Sequence, residues 1–139
     1  MDNHKNFASI EIPLVKKLYE LYKYAHESVS VFPKHERYSL GEKIEMNILE
    51  AIEAVIFGNA QPKNFKDAYL LRANAKIEVL KILFRLALDN EFINPTQYLK
   101  TEEYLHEAGK MLGGWIKYLR SGAVKYAEKS DADRKKMKK

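Results

Sequence analysis

The sequence predicts an all-α protein, an antiparallel up-down-up-down four-helix bundle that assembles into a homo-oligomer. Four segments repeat apolar residues at the three- and four-residue spacing of an α-helix, and no segment alternates apolar and polar residues as a half-buried strand does. Short connections that contain proline or glycine join these segments, which is typical of antiparallel neighbours. The third segment is apolar around most of its circumference, so it has more apolar surface than one bundle core needs.

This third segment, from about Phe65 to Asn90, is the longest uninterrupted helical pattern in the chain. One apolar stripe comprises Ala68, Ala75, Val79, Ile82, Leu83 and Leu86, and a second comprises Leu70, Ala73, Ile77, Leu80, Phe84 and Leu88. Because one face cannot hold both stripes, we expect the helix to lie in the middle of a bundle or to place its outer stripe against another copy. A ring-shaped homo-oligomer is the predicted assembly.

The first helix is predicted to run from about Pro13 to Ser30. Proline suits the first turn of a helix, where its missing N–H group would have no partner anyway. A single apolar stripe follows at helical spacing and comprises Ile12, Val15, Tyr19, Tyr22, His26 and Val29. The other side carries alternating charges and is expected to face solvent.

The second helix is predicted to start at Leu40 and to end at Gly58. Pro33 turns the chain beforehand, because proline disfavours helical dihedrals in the residue that precedes it. Ser39 is placed to cap the helix, and Glu42 three residues later would complete a capping box. Glycine is a common residue at the end of a helix.

The fourth helix is predicted to start after a cap at Thr96 and to end near Gly122 or shortly after. Gly113 and Gly114 interrupt it, and each costs about 1 kcal/mol relative to alanine inside a helix. Close approach of a neighbouring backbone is the favoured reason, since Trp115 needs room for its ring, and a bend is the alternative. The apolar face comprises Leu99, Leu105, Ala108, Leu112, Trp115, Leu119 and Ala123.

Length and composition indicate one domain that is expected to be soluble and cytoplasmic. The 139 residues suit a single domain, cysteine is absent, and no apolar run reaches the length of a membrane span. The net charge is +5, of which the last eleven residues, with six basic and two acidic side chains, supply +4. We therefore divide the chain into a bundle domain of near-neutral charge, residues 1–128, and a basic tail, residues 129–139, that is expected to be disordered.

No constellation of residues predicts catalysis or a cofactor. Glu103 and His106 form one Glu-x-x-His step, but di-iron bundles need the same step on a second helix and further carboxylates. Neither a phosphate-binding glycine loop nor a nucleophile elbow is present. We therefore expect a protein that is not an enzyme and that holds no metal.

Basic side chains are the stronger candidates for function, as contacts to RNA or DNA. Lys34 and Arg37 lie at the turn before the second helix, and Lys81 and Arg85 lie four residues apart on the third. Lys110 and Lys117 lie one heptad apart on the fourth helix. Two solvated surface cations remain the simpler interpretation of Lys81 and Arg85. The nine tyrosines are better explained by core or interface packing than by stacking on bases.

Residues 32–34 (FPK) and 37–41 (RYSLG) resemble the signature of small bacterial four-helix-bundle proteins first noticed in intervening sequences of large-subunit ribosomal RNA genes. Within that group, the Lys81 to Arg85 step and residues 107–116 (EAGKMLGGWI) are similar to the accessory variability determinant family of diversity-generating retroelements. The Gly-Gly-Trp stretch is fairly specific to this branch, whereas the RYSLG stretch is shared with the ribosomal-gene branch. The resemblance covers about residues 14–120.

The resemblance implies a homopentameric barrel with a basic surface that binds nucleic acid and the reverse transcriptase of the retroelement. Such a protein has no catalytic activity and supports mutagenic retrohoming, the copying of a template RNA into variable cDNA. Lys81 and Arg85 match the family's basic pair, although the resemblance would place Arg at position 81, and Lys acts as a point charge where Arg can bind a phosphate bidentately. The alternative is a homo-oligomeric structural or interaction protein of the ribosomal-gene branch, without a reverse transcriptase partner.

Overall fold

The computed structural model describes the backbone of residues 12–137 and the side chains of residues 12–121. Within that range the chain is all-α and contains no strand, as the sequence predicts. The four long helices are α1 (Pro13–Val29), α2 (Glu42–Ala60), α3 (Lys66–Asp89) and α4 (Pro95–Met137). None of the described helices combines the length and the apolar character that a membrane span requires.

The helices pack as a bundle around one core. The main contacts join α1 to α2, α2 to α3, α3 to α4, and α4 back to α1. Buried apolar side chains from all four helices form the core, and Phe32 and Ile93 from the two connections at one end complete it. The bundle arises because each amphipathic helix can remove its apolar stripe from water only against another helix.

Helix α3 divides its two apolar stripes between the core and the outside. Five residues of the second stripe are fully buried, namely Leu70, Ala73, Ile77, Leu80 and Phe84. In the first stripe, Val79, Ile82 and Leu86 are exposed, and Ile82 keeps 63% of its accessible surface. The helix is therefore at the edge of a single-chain bundle rather than in its middle, which leaves an outer apolar stripe without a partner in the described part of this chain.

The connection between α1 and α2 is helical, so the prediction that Ser39 caps a helix starting at Leu40 is wrong. One α-helical turn, Lys34–Glu36, follows Pro33, and a π-helical turn, Arg37–Gly41, continues directly into α2. Ser39 and Leu40 lie inside this run, and no side-chain cap is formed there. The turn at Pro33 was predicted, but the helix starts about six residues earlier than the capping pattern suggested.

Packing against α1 explains why the capping pattern misleads. Gly41 is buried, and a Cβ atom at this position would lie 2.5 Å from Cγ1 of Val29. A π-helical turn widens the helix by one residue and changes the register of the residues that follow. The contact between Gly41 and Val29 therefore depends on tertiary structure, which the local Ser39 and Glu42 spacing cannot report.

Gly58 does not end α2, which continues to Ala60. Instead, Gly58 is buried where α3 crosses: a Cβ atom would lie 3.0 Å from Cβ of Tyr69 and 3.4 Å from Cδ2 of Leu70. No glycine in the described part of the chain has a positive φ. Gly58 therefore permits a close helix contact, and the chain reverses afterwards through a short 3₁₀ turn, Lys63–Phe65.

Helix α3 ends in a Schellman motif. The N–H of Phe92 donates to the carbonyl of Ala87 and the N–H of Glu91 donates to that of Leu88, each at 2.9 Å. Glu91 takes the left-handed conformation, with φ of 60°, that glycine usually supplies. The turn brings the ring of Phe92 to 5.4 Å from that of Phe32, so the α1–α2 and α3–α4 connections meet at one end of the bundle.

Helix α4 is capped by Asn94 and not, as predicted, by Thr96. The N–H of Gln97 donates to Oδ1 of Asn94 at 2.8 Å, and the N–H of Asn94 donates to Oε1 of Gln97 at 2.9 Å. This reciprocal pair is a capping box formed by amide side chains. Asparagine is as good a cap as serine or threonine, and Pro95 then occupies the first helical position.

The end of α4 is also later than predicted. The helix continues through Gly122 to Met137. Side chains beyond residue 121, including those of the basic tail, lie outside the described residues. The division into a bundle domain, residues 1–128, and a tail, residues 129–139, stays a prediction.

Gly113 and Gly114 do not permit a close approach within the described chain, which corrects the favoured interpretation. Both are exposed, and a Cβ atom at either position would meet no atom within 4 Å. Trp115 is only half-buried, at the edge of the core beside Met111 and Ile12. The glycines are therefore not needed to make room for the ring.

Replacing Gly113 or Gly114 by alanine is expected to raise the free energy of unfolding by about 1 kcal/mol each, since alanine is the better helix former and nothing obstructs its methyl group. Urea denaturation followed by circular dichroism would measure the change at a fixed protein concentration. A decrease in stability would mean that another molecule packs closely on this face.

Candidate nucleic-acid interface

The six candidate cations lie on three parts of the surface. Lys81 and Arg85 lie on α3, Lys110 and Lys117 lie at exposed positions of α4, and Lys34 and Arg37 lie in the helical connection before α2. All are exposed except Lys81, which is partly exposed. Each group is accessible to a phosphate backbone, and each has a different set of neighbours.

Lys81 and Arg85 both pair with carboxylates on their own helix. Nζ of Lys81 donates to Oε1 of Glu78 at 2.9 Å, and Nε of Arg85 donates to Oδ1 of Asp89 at 3.0 Å. Hydrogen bonding with Tyr98 on α4, and then the charge of Asp89, raise the pKa of Arg85. Exposed pairs at this spacing contribute only about 0.3–0.5 kcal/mol, so a phosphate can displace either carboxylate.

Lys110 and Lys117 lie two helical turns apart, with Gly113 and Gly114 between them. Neither lysine forms an ion pair with any side chain of residues 12–121. The open space around both glycines leaves the helix surface between the two ammonium groups accessible. These lysines are therefore better placed to bind an anion than the α3 pair is.

Arg37 has a structural contact that the sequence did not suggest. Its Nε atom donates to the backbone carbonyl of Phe32 at 3.1 Å, which ties the π-helical turn to the end of the α1–α2 connection. Lys34 is exposed at the start of the connecting helix, and among the described residues it has no ion pair. Phe32 and Arg37 are five residues apart in the sequence, within the FPK and RYSLG stretches. This spacing permits the contact, but the sequence alone shows these stretches only as a family signature.

A model of the bAvd-like family matches residues 12–119. The chain belongs to the bAvd-like family. All six candidate cations of the bAvd-like protein lie inside the matched range, and the basic tail lies outside it. A search of curated proteins found no match.

A further ion pair of the bAvd-like protein, between Lys17 and Glu107, joins α1 to α4. Nζ of Lys17 lies 2.7 Å from Oε2 of Glu107. The hydrogen bond between them lowers the pKa of Glu107 and raises the pKa of Lys17. The pair breaks when the pH falls through the lowered pKa of Glu107, and it persists until the pH exceeds the raised pKa of Lys17.

The bAvd-like protein also exposes an apolar face on α2 and α3. Several large apolar side chains on these two packed helices keep 40% or more of their surface exposed: Met46, Leu49, Phe57, Leu71, Val79, Ile82 and Leu86. We refer to these residues as the α2–α3 apolar face. Exposed apolar side chains on adjacent helices are candidates for an interaction surface, and the groove between the two helices is lined by the charged residues Glu50, Glu53, Arg72 and Lys76.

Metal chemistry has no support in the described part of the bAvd-like protein. Glu103 and His106 lie on the exposed side of α4. Within residues 12–121, no group of three or more histidine or carboxylate side chains is placed to hold a metal ion.

Proposed function

We propose that this bAvd-like protein is a non-catalytic, cytoplasmic accessory subunit of a diversity-generating retroelement. It binds the reverse transcriptase and the template RNA or DNA, and it thereby supports mutagenic retrohoming. The observation that carries this proposal is the family match over residues 12–119, which includes every candidate cation. The exposure of those cations is consistent with binding to a polyanion.

The proposed protomer is an antiparallel up-down-up-down bundle. Polar contacts between neighbouring helices support this, because they join a late residue of one helix to an early residue of its neighbour. His26 near the end of α1 pairs with Glu45 near the start of α2, and Arg120 far along α4 pairs with Asp67 at the start of α3. Parallel neighbours would instead bring early residues together.

The α2–α3 apolar face supports assembly of these protomers into a homopentameric barrel. A second copy is the proposed occupant of the face, because its exposed apolar side chains would be covered by an equivalent apolar surface. Burial of apolar surface is the main favourable term in the association of proteins. The outer stripe of α3 then has the role that the sequence predicts for it.

Assembly would increase the electrostatic attraction that a protomer of modest charge exerts on a nucleic acid. Residues 1–128 carry a net charge of only +1, so a single chain has a weak overall field. In a closed ring, each cation is repeated once in every protomer, and the repeated groups act together on an extended nucleic acid. Binding is then expected to weaken steeply with salt, because each neutralised phosphate releases condensed counterions.

The double change Lys81→Ala with Arg85→Ala is expected to weaken binding to RNA and DNA with little sequence discrimination. The slope of log affinity against log salt should become shallower by about 1 for each phosphate that is no longer neutralised. Fluorescence anisotropy across a salt series measures both quantities. The matched control is Lys16→Ala with Lys23→Ala, which removes the same charge from the exposed side of α1.

Two comparison variants locate the contact. If deletion of residues 130–139 abolishes binding while the Lys81 and Arg85 variant binds normally, the contact belongs to the tail. If both bind normally and Lys110→Ala with Lys117→Ala does not, the contact lies on α4. Parent protein that binds no nucleic acid at low salt would contradict the proposal.

The second candidate function is a homo-oligomeric structural or interaction protein of the ribosomal-gene branch. Two observations favour it: the near-neutral charge of residues 1–128 and the neutralisation of Lys81 and Arg85 by carboxylates on their own helix. Neighbouring genes distinguish the candidates, since a reverse transcriptase gene with a template and variable repeat supports the first and a ribosomal RNA operon supports the second. Co-purification with a co-expressed reverse transcriptase tests the partner directly.

A further inference from the structure

Tyrosines in the described part of the chain fall into two groups. Several of them pack: Tyr22 stacks on His26, Tyr24 contacts Tyr104, and Tyr69 contacts Phe57, at ring-centroid distances of 5.9, 6.0 and 6.4 Å. These agree with the sequence-based expectation of packing roles. Tyr38 and Tyr118 differ, because they keep 73% and 70% of their surface exposed.

Neither exposed ring makes an aromatic or cation–π contact within the described part of the chain. Leaving a large ring in water forgoes the favourable free energy of its burial. Each ring also lies within one of the cation groups that the sequence singled out.

Tyr38 lies in the π-helical turn, one turn after Lys34. It lines an open cleft of about 640 Å³ whose charged lining comprises Lys43, Lys76, Glu42 and Glu50. Single π-helical turns occur frequently at functional sites. The ring therefore lies beside a groove, with an ammonium group on each side of it along the chain.

Tyr118 lies on α4 directly after Lys117 and two residues before Arg120. Helical side chains lean toward the preceding turn, so the residue four positions earlier would normally lie beneath the ring. Here that residue is Gly114, which has no side chain and open space around it. Because a Cβ atom at Gly114 would have no atom within 4 Å, the ring of Tyr118 does not pack on this turn and stays exposed.

We propose that Tyr38 and Tyr118 are stacking platforms for unpaired bases, and that the ligand of this protein is single-stranded nucleic acid. This inference rests on the proposed nucleic-acid function and specifies its substrate class. The neighbouring lysines bind the phosphates, and each ring stacks on a base, which is the combination that sequence-tolerant single-strand binding requires. Paired bases are stacked within the duplex and cannot reach either ring.

The test compares a labelled single-stranded oligonucleotide with its blunt duplex by fluorescence anisotropy. Tyr38→Ala and Tyr118→Ala are each expected to weaken single-strand binding by about 5- to 150-fold, the range that removal of one stacking ring produces. Duplex binding should stay within about twofold, because phosphate contacts alone support it. Tyr38→Phe and Tyr118→Phe keep the ring and should bind like the parent protein.

The control variant is Leu99→Ala, which removes an apolar side chain that is 66% exposed on α4 and should leave binding unchanged. Unchanged single-strand affinity in both alanine variants would overturn the inference while leaving the proposed function intact. Equal weakening of single-strand and duplex binding in the alanine variants would also overturn it. A change in the assembly mass of either variant, measured by light scattering, would overturn it too, because it would assign the rings to contacts between copies. Absence of any binding by the parent protein would instead defeat the proposed function itself.

Discussion

Replacing Ile82 by lysine on the outer side of α3 is expected to dissociate the assembly into single chains of 16.2 kDa. Ile82 is the most exposed side chain of the α2–α3 apolar face. If copies meet there, an ammonium group would be buried at every contact of the ring without a partner. The effective penalty for burying an unpaired charge is several kcal/mol, which the modest free energy of one subunit contact does not offset.

Size exclusion coupled to light scattering measures this result. The parent protein should give a mass near five times 16.2 kDa, and the Ile82→Lys variant should give the monomer mass. Leu99→Lys is the matched control, because it places the same charge at a similarly exposed apolar position on α4. A monomeric parent protein would contradict the predicted ring, and an unchanged mass for Ile82→Lys would place the contact between copies elsewhere.

Replacing Phe32 by alanine is expected to lower the free energy of unfolding by about 3–5 kcal/mol, the usual cost of removing a buried aromatic ring. Phe32 is only 2% exposed, and its ring contacts that of Phe92. The ring therefore joins the two connections that close one end of the bundle. Because small proteins are stable by only about 5–15 kcal/mol, this single change removes a large part of the total.

Urea denaturation at a fixed protein concentration measures this decrease, since assembly makes apparent stability depend on concentration. Val31→Ala is the matched control: the adjacent side chain is exposed, and its truncation should change stability by no more than about 0.5 kcal/mol. Equal stabilities for the two variants would mean that the contact between Phe32 and Phe92 does not hold the two connections together.

The presence of the helices could be predicted because apolar spacing is a local property of the sequence. Their faces were predicted only in part: Tyr19 and His26 on α1 and Leu99 on α4 are exposed, and α1 instead buries Leu18, Leu21 and Ala25. The start of α1 at Pro13 and the extent of α3 follow the pattern within one or two residues. The second stripe of α3 was correctly separated from the first, and it contributes to the core. Two boundaries failed at Ser39 and Thr96, where plausible capping residues stand inside helices, and two more failed at Gly58 and Gly122, where the helices continue.

The sequence could predict which cations form the candidate site. It could not predict their ion-pair partners or the exposure of the side chains around them. Sequence spacing places Lys81 and Arg85 on one side of α3, yet it does not reveal which carboxylates they pair with. It also assigns the tyrosines collectively to packing, because exposure is not a property of a residue type. Tyr38 and Tyr118 could be separated from the others only once their neighbours were known.

By itself the sequence determined the helical class, the positions of the four long helices and the family to which the chain belongs. These depend on the periodicity of apolar residues and on short motifs, both of which are local properties of the sequence. Tertiary structure alone decided the roles of the glycines: Gly41 and Gly58 allow close helix contacts, while Gly113 and Gly114 face open space. The physical reason is that a glycine within a helical segment looks the same in the sequence in each case. Only the distance to the neighbouring helix shows whether a side chain would fit.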